Sequence, residues 1–375
     1  MSVAATMLTA ILLSNVLMIG CGGGNSGGGG GGSTTQAPTV STRAAQNGAL
    51  IASLASATSG AAIYYTVDGS TPSTSSQQYQ APFLVASNLT LKAIATAAGM
   101  ANSTVTSQSF APNIQSGTLV WSDEFTNSSG AAAQPDPKFW TYDTGNSGFG
   151  NHELETYCAW GSSVTPCSTA NPSAFVGATD GYLHIEAQQP AAGVYTSARL
   201  KTQGLFSFQY GRFELRAQVP EAQGFWPAGW LLGNNITTVN WPACGEQDVL
   251  ERVNAAPTPD WNEGSIHGTG FIGASGLGTK YNFPSGQTAA GWHTYGMIWS
   301  NGTVAFYIDD PTKPYITYTT SSLNGINGAV WPFDAGQSNF IILNLAIGGD
   351  WPGPPDGSTP FPSEMLIDYV RVYTN

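Results

Sequence analysis

Scarce charge, abundant glycine and aromatics, and short alternating apolar–polar runs broken by turn residues predict an all-β protein. Only 9% of the 375 residues are charged, whereas glycine occurs 46 times. Solvated helix faces need Lys, Glu and Arg, so this balance favours turn-rich sheet over helix. The expected architecture is a small Ig-like β-sandwich followed by a larger domain that fits a two-sheet β-jelly-roll sandwich or a closed barrel. Eleven basic against 23 acidic residues give a net charge of −12. That charge repels polyanions, which argues against nucleic acid and heavily sulfated polysaccharide and for an uncharged partner.

Taken in order, residues 1–21 begin with a charge-free apolar run from Val3 to Gly20 that ends at Cys21. Its length suits a secretion signal or a marginal membrane helix, but the glycines that follow do not belong in a bilayer. Met18-Ile19-Gly20-Cys21 resembles a bacterial lipobox, which implies a secreted or cell-envelope lipoprotein whose membrane contact is a lipid anchor at Cys21. Residues 22–36 read as a Gly-rich linker with a random-coil reach of roughly 20 Å.

Residues 37–113 alternate through Ala62 to Val67, turn at Asp68-Gly69-Ser70-Thr71-Pro72, and alternate again from Leu89 to Ala95. Short strands between turn signals indicate a small sandwich. The Tyr64 to Pro72 run, with Leu91 to Ala95 downstream, resembles the small domain at the C-terminal end of chitobiase-like enzymes. The segment has no tryptophan, so a passive spacer is as well supported as a glycan-binding module.

Residues 116–375 carry longer runs of the same type: Tyr210 to Val219, Trp292 to Ser300, Val304 to Asp309, Phe340 to Ala346 and Met365 to Tyr373. No long segment has helical periodicity. A jelly roll of this size leaves one concave sheet face along which a polymer can lie. In an oxidising compartment Cys158 and Cys167 would close a small loop and leave Cys244 a buried thiol. A bridge from Cys244 to either partner stays open.

The chemistry concentrates in Trp241-Pro242-Ala243-Cys244-Gly245-Glu246-Gln247-Asp248-Val249-Leu250-Glu251. Three carboxylates within one strand repel one another unless they act together. Glu246 and Asp248 share a face by alternation, and Glu251 joins them if one residue between Asp248 and Glu251 bulges out. The Cα atoms of the two glutamates would then lie about 13 Å apart. Side chains leaning together reach the roughly 5–5.5 Å spacing of retaining glycosidases. Glu246 would attack the anomeric carbon, while Glu251 would protonate the leaving oxygen and then activate water. Asp248 would hydrogen-bond Glu246 and keep Glu251 protonated by repulsion.

The Glu-x-Asp-x-x-Glu strand preceded by Trp241-Pro242-x-x-Gly245 resembles glycoside hydrolase family 16, in its laminarinase-like branch. Trp121 to Phe125, Tyr210 to Glu214, Phe225 to Trp230 and Ile367 to Tyr373 extend the resemblance over nearly all of Leu119 to Tyr373. Gln247 departs from the pattern, because the family usually places an aliphatic residue there. The resemblance implies that Trp226, Trp230, Trp241 and Trp351 line the cleft, where indoles pack on sugar faces. It also implies that Asn151 and Arg199 contact sugar hydroxyls and that His267 stands on the leaving-group side. No cofactor is implied for catalysis. A structural Ca²⁺ is implied on the convex face, held by Glu124, the Gly181 carbonyl and Asp368, oxygen ligands suited to a hard cation.

The expected activity is endo-cleavage of β-1,3-glucosidic bonds in a neutral, laminarin-like glucan by a monomer. Within the same chemistry the alternatives are mixed-linkage β-1,3-1,4-glucan and an agar-type galactan. A catalytically inactive carbohydrate-binding surface protein is the alternative from another class, and the intact Glu246, Asp248 and Glu251 argue against it.

Overall fold

The computed structural model describes residues 33–254, 260–334 and 336–375. The expected lipobox with Cys21, and the linker up to residue 32, lie outside the described residues. The first domain packs a three-stranded sheet, ordered Thr39–Ala44, Leu50–Ala55, Phe83–Val85, on a four-stranded one, ordered Gln77–Gln78, Ala62–Thr66, Leu89–Thr96, Thr106–Phe110. The inward members of each alternating run, among them Leu54, Ile63, Tyr65, Val85 and Leu91, form its core. Tyr65 stacks on Phe83 with ring centroids 5.2 Å apart.

Two larger sheets build the jelly roll. The concave one has seven strands: Leu277–Asn282, Trp261–His267, Glu246–Glu251, Phe225–Gly233, Asn339–Ile347, Arg199–Lys201 and Thr141–Asp143. The opposing sheet has ten, with Leu183–Ala191, Ser363–Tyr373, Gly211–Gln218 and His293–Ser300 at its centre. All nine residues of Asn339–Ile347 are buried, as the near-continuous apolar run there requires. Leu215, Phe213, Leu231, Leu250, Phe306 and Leu343 fill the space between the sheets. A Cβ on Gly229 would lie 2.2 Å from the Leu215 side chain, so the concave sheet meets its partner too closely for any larger residue there. The five runs read as strands from sequence match the observed strands to within two residues at each end. Cys158 and Cys167 form a disulfide, and Cys244 is a buried free thiol.

The two domains are joined through backbone as well as side chains. Leu84 N donates to Ser207 O at 2.9 Å, and Gln46 N donates to Val120 O at 3.1 Å. Asn47 Nδ2 reaches Leu119 O at 2.8 Å, and Gln46 Nε2 reaches Ser122 Oγ at 2.8 Å. Ala49 and Ile51 of the first domain are buried in the same apolar cluster as Val120, Trp121 and Phe206 of the second.

Candidate active site

Glu246–Glu251 pairs with Phe225–Gly233 on one side, opposing Leu232 to Glu246, Leu231 to Gln247 and Trp230 to Asp248. The register then slips, so that Gly229 faces Leu250 and Ala228 faces Glu251. Val249 is the extra residue, and the bulge returns Glu251 to the concave face with Glu246 and Asp248. A bulge leaves backbone groups without ladder partners, which is costly when buried. Asn262, fully buried on the next strand, supplies them: Glu251 N donates to its Oδ1 at 3.1 Å. Its Nδ2 donates to Val249 O at 3.1 Å. At the other end of the strand Gly245 adopts φ +80°, and a Cβ there would lie 2.7 Å from Pro332, so the turn into Glu246 requires glycine.

Asp248 is 4% exposed. Ser265 Oγ donates to its Oδ2 at 2.6 Å, and His267 Nε2 lies 3.2 Å from the same oxygen. In place of the expected hydrogen bond between Asp248 and Glu246, Asp248 takes the hydroxyl and imidazole that the neighbouring strand sets beside it. His267 faces Glu246 across the strand pair, with Nε2 3.9 Å from Glu246 Oε1. Its nearest carboxylates are thus those of Asp248 and Glu246.

Burial acts on both glutamates in the same direction. Burial pushes the Glu246 carboxyl up to about 8, reinforced by the charge of Asp248 and opposed by His267, the Trp241 N–H and Arg199. Burial raises Glu251 well above the usual carboxylate range, with Asp248 and Glu246 adding to it. Burial by itself would lower His267, but its hydrogen bond to Asp248 and the three carboxylate charges outweigh that and push it up to about 9. Both glutamates are thus raised, first by burial and then by the charge of Asp248 that stands between them.

Trp241 Nε1 donates to Glu246 Oε2 at 2.9 Å, and Trp226 Nε1 donates to Glu251 Oε1 at 3.1 Å. Trp351 meets Trp226 edge-on at 5.5 Å and stacks on Trp261 at 5.9 Å. Trp241 and Trp351 remain 44% and 42% exposed, which leaves indole surface for a ligand. Trp230 Nε1 donates to Asn344 Oδ1 at 2.8 Å, with the Arg199 guanidinium 4.9 Å from its ring. Behind it Asn344 Nδ2 donates to the Tyr157 hydroxyl at 3.2 Å, which donates to Glu153 at 2.7 Å. Asn151 joins this set through its Nδ2, 3.1 Å from Glu153 Oε1.

A family model described as Glycosyl hydrolases family 16 matches residues 166–370, and one described as Fn3 associated matches residues 53–110. A Beta-glucanase of Rhodothermus marinus is 38% identical over 265 residues, covering 68% of this chain and 84% of that protein. The chain belongs to glycosyl hydrolase family 16. The catalytic domain of an endo-1,3-beta-glucanase (laminarinase) from Thermotoga petrophila superposes with a TM-score of 0.59 at 36% identity, over 70% of this chain and 99% of that one. An endo-beta-1,3-glucanase from Pyrococcus furiosus gives 0.58 at 36% identity, over 68% and 94%.

In this family 16 glycoside hydrolase Trp226, Trp241, Trp351 and His267 gather around Glu246, Asp248 and Glu251, and Arg199 and Asn151 connect with Trp230 beside them. Gln247, the departure from the family pattern, is fully buried and accepts a hydrogen bond from Asn339 Nδ2 at 3.0 Å. The calcium ligands do not fit. Glu124 accepts two hydrogen bonds from Arg371, at 2.9 and 2.8 Å, and Asp368 is ion-paired with Arg216. Guanidinium groups already neutralise both carboxylates, so the donor set does not suit a divalent cation. Sequence reasoning missed Trp261, Asn262 and Glu263 and gave Ser265 no role. Trp261, Glu263, Ser265 and His267 alternate along one strand and so share the cleft face, a signal that was present in the sequence.

Proposed function

We propose that this enzyme is a retaining endo-β-1,3-glucanase acting on laminarin-like glucan. The bulge at Val249 supports the reading, because it sets Glu246 and Glu251 on one face with Asp248 between them. In the first step Glu246 attacks the anomeric carbon while Glu251 gives its proton to the departing glycosidic oxygen. The newly anionic Glu251 then takes a proton from water, whose oxygen displaces Glu246 and restores the β configuration. Asp248 keeps Glu251 protonated by its charge, and the indole N–H groups of Trp226 and Trp241 orient the two carboxyls. The reaction needs no cofactor. The names of the glucanase relatives support a β-1,3-glucan, and export with a lipid anchor at Cys21 belongs to the same reading.

Laminarin, lichenan and agarose compared side by side test the substrate, and proton NMR of the first product tests the stereochemistry. Fastest cleavage of laminarin with β-anomer as initial product is expected. With Glu246→Ala and an activated aryl laminarioside, azide should yield the α-glycosyl azide; with Glu251→Ala it should yield the β-azide. Preferential cleavage of agarose, or an α-anomer from laminarin, would overturn the assignment.

A further inference from the structure

The turn after Tyr64 and Tyr65, prominent in the sequence and unused by the catalytic site, faces the second domain across a cleft of about 870 Å³. That volume lies within the roughly 300–1,000 Å³ of ligand-binding clefts. One wall is Tyr64, Ser70 and the Gln77–Gln78 strand; the other is Gln209, Tyr210, Asn301 and the Asn235–Val239 turn. The backbone joint at Leu84 and Ser207 fixes the walls relative to each other.

The lining is chemically narrow. It contains tyrosines, amides and hydroxyls, no cation, and a single carboxylate, Asp68, whose Oδ1 already accepts from the Ser70 hydroxyl at 2.6 Å. Gln209 Nε2 is buried without a hydrogen-bond partner among the described residues. Tyr210 holds φ +62°, a left-handed conformation that strains a bulky residue. Its hydroxyl, with one proton to donate, lies 3.2 Å from Asn301 Oδ1 and 3.3 Å from Asp334 Oδ1. Aromatic rings among amides and hydroxyls suit an uncharged polyhydroxylated chain.

Position points the same way. Asn235, Thr238 and Val239 line this cleft, while Trp241, two residues on, donates to Glu246. Two residues span at most about 7 Å, so one loop borders both the interdomain cleft and the catalytic face.

We propose that the interdomain cleft is a second glucan-binding site, which holds a stretch of neutral β-glucan beside the catalytic groove. The inference takes its ligand class from the proposed activity but places binding on residues that activity does not use.

Isothermal titration of the full-length Glu246→Gln protein with a β-1,3-glucan heptasaccharide provides the test. Two equivalents are expected per chain. Tyr64→Ala in that background, and separately Thr238→Arg at an exposed position, should each weaken one of them at least tenfold. Thermal melting verifies that each variant is folded. One equivalent only, with wild-type protein hydrolysing laminarin, overturns the second site and leaves the catalytic reading standing. Two equivalents that neither variant weakens also overturn it. Binding abolished by Tyr64→Ala, in a wild-type protein that does not hydrolyse glucan, supports the cleft and overturns the catalytic reading instead.

Discussion

Replacing Asn262 by alanine should damage stability and catalysis together. The side chain is fully buried and bonded to Glu251 N and Val249 O, each at 3.1 Å. Its removal strands two backbone groups in a site closed to water, at about 1–3 kcal/mol each, so a combined loss on the order of 4 kcal/mol is expected. Urea denaturation at constant m-value measures it. Loosening the bulge also loosens Glu251, and a misplacement of about 1 Å costs roughly 100-fold in rate. The loss should fall on kcat for polymer and be smaller for aryl glycosides whose leaving groups need no proton. A variant destabilised by less than about 1 kcal/mol, with kcat equally reduced or unchanged on both substrates, would refute the bulge-bracing role.

His267→Gln removes a cation beside Glu246; the anionic nucleophile becomes less favoured, and the acid limb of the kcat/KM profile should move to higher pH by about one unit or more. An unmoved limb would disprove the coupling. Because arginines already neutralise Glu124 and Asp368, EDTA should leave the melting temperature unchanged, and a drop of several degrees reversed by Ca²⁺ would show a metal clip after all. Cys21→Ser should shift the protein from the membrane fraction to the soluble one or leave its precursor unprocessed; identical fractionation of both forms would exclude a lipid anchor.

The bulge was legible before any coordinates, because strict alternation cannot place Glu246 and Glu251 on one face without an extra residue. The cleft tryptophans were legible through the resemblance to family 16. What sequence hides is register. Asn262 and Ser265 matter because of what stands opposite them, and Glu246 meeting His267 follows from tertiary packing. The arginine pairing of the expected calcium carboxylates was hidden for the same reason. Arg371 stands in the closing motif in plain view, but its reach to Glu124, 247 residues away, depends on how the first and last strands pair.

The joint between the domains has a consequence for how the enzyme can be cut and recombined. Ala49 and Ile51 lie at 1% exposure in the interior that contains Trp121 and Phe206. A cassette beginning near residue 116 would therefore carry an open seam of hydrocarbon and two unclaimed carbonyls, at Val120 and Ser207. Calorimetry of the intact chain should record one cooperative peak rather than two. In this chain the front sandwich is part of the wall of the catalytic domain, and grafting that domain onto another scaffold would require resurfacing the seam first.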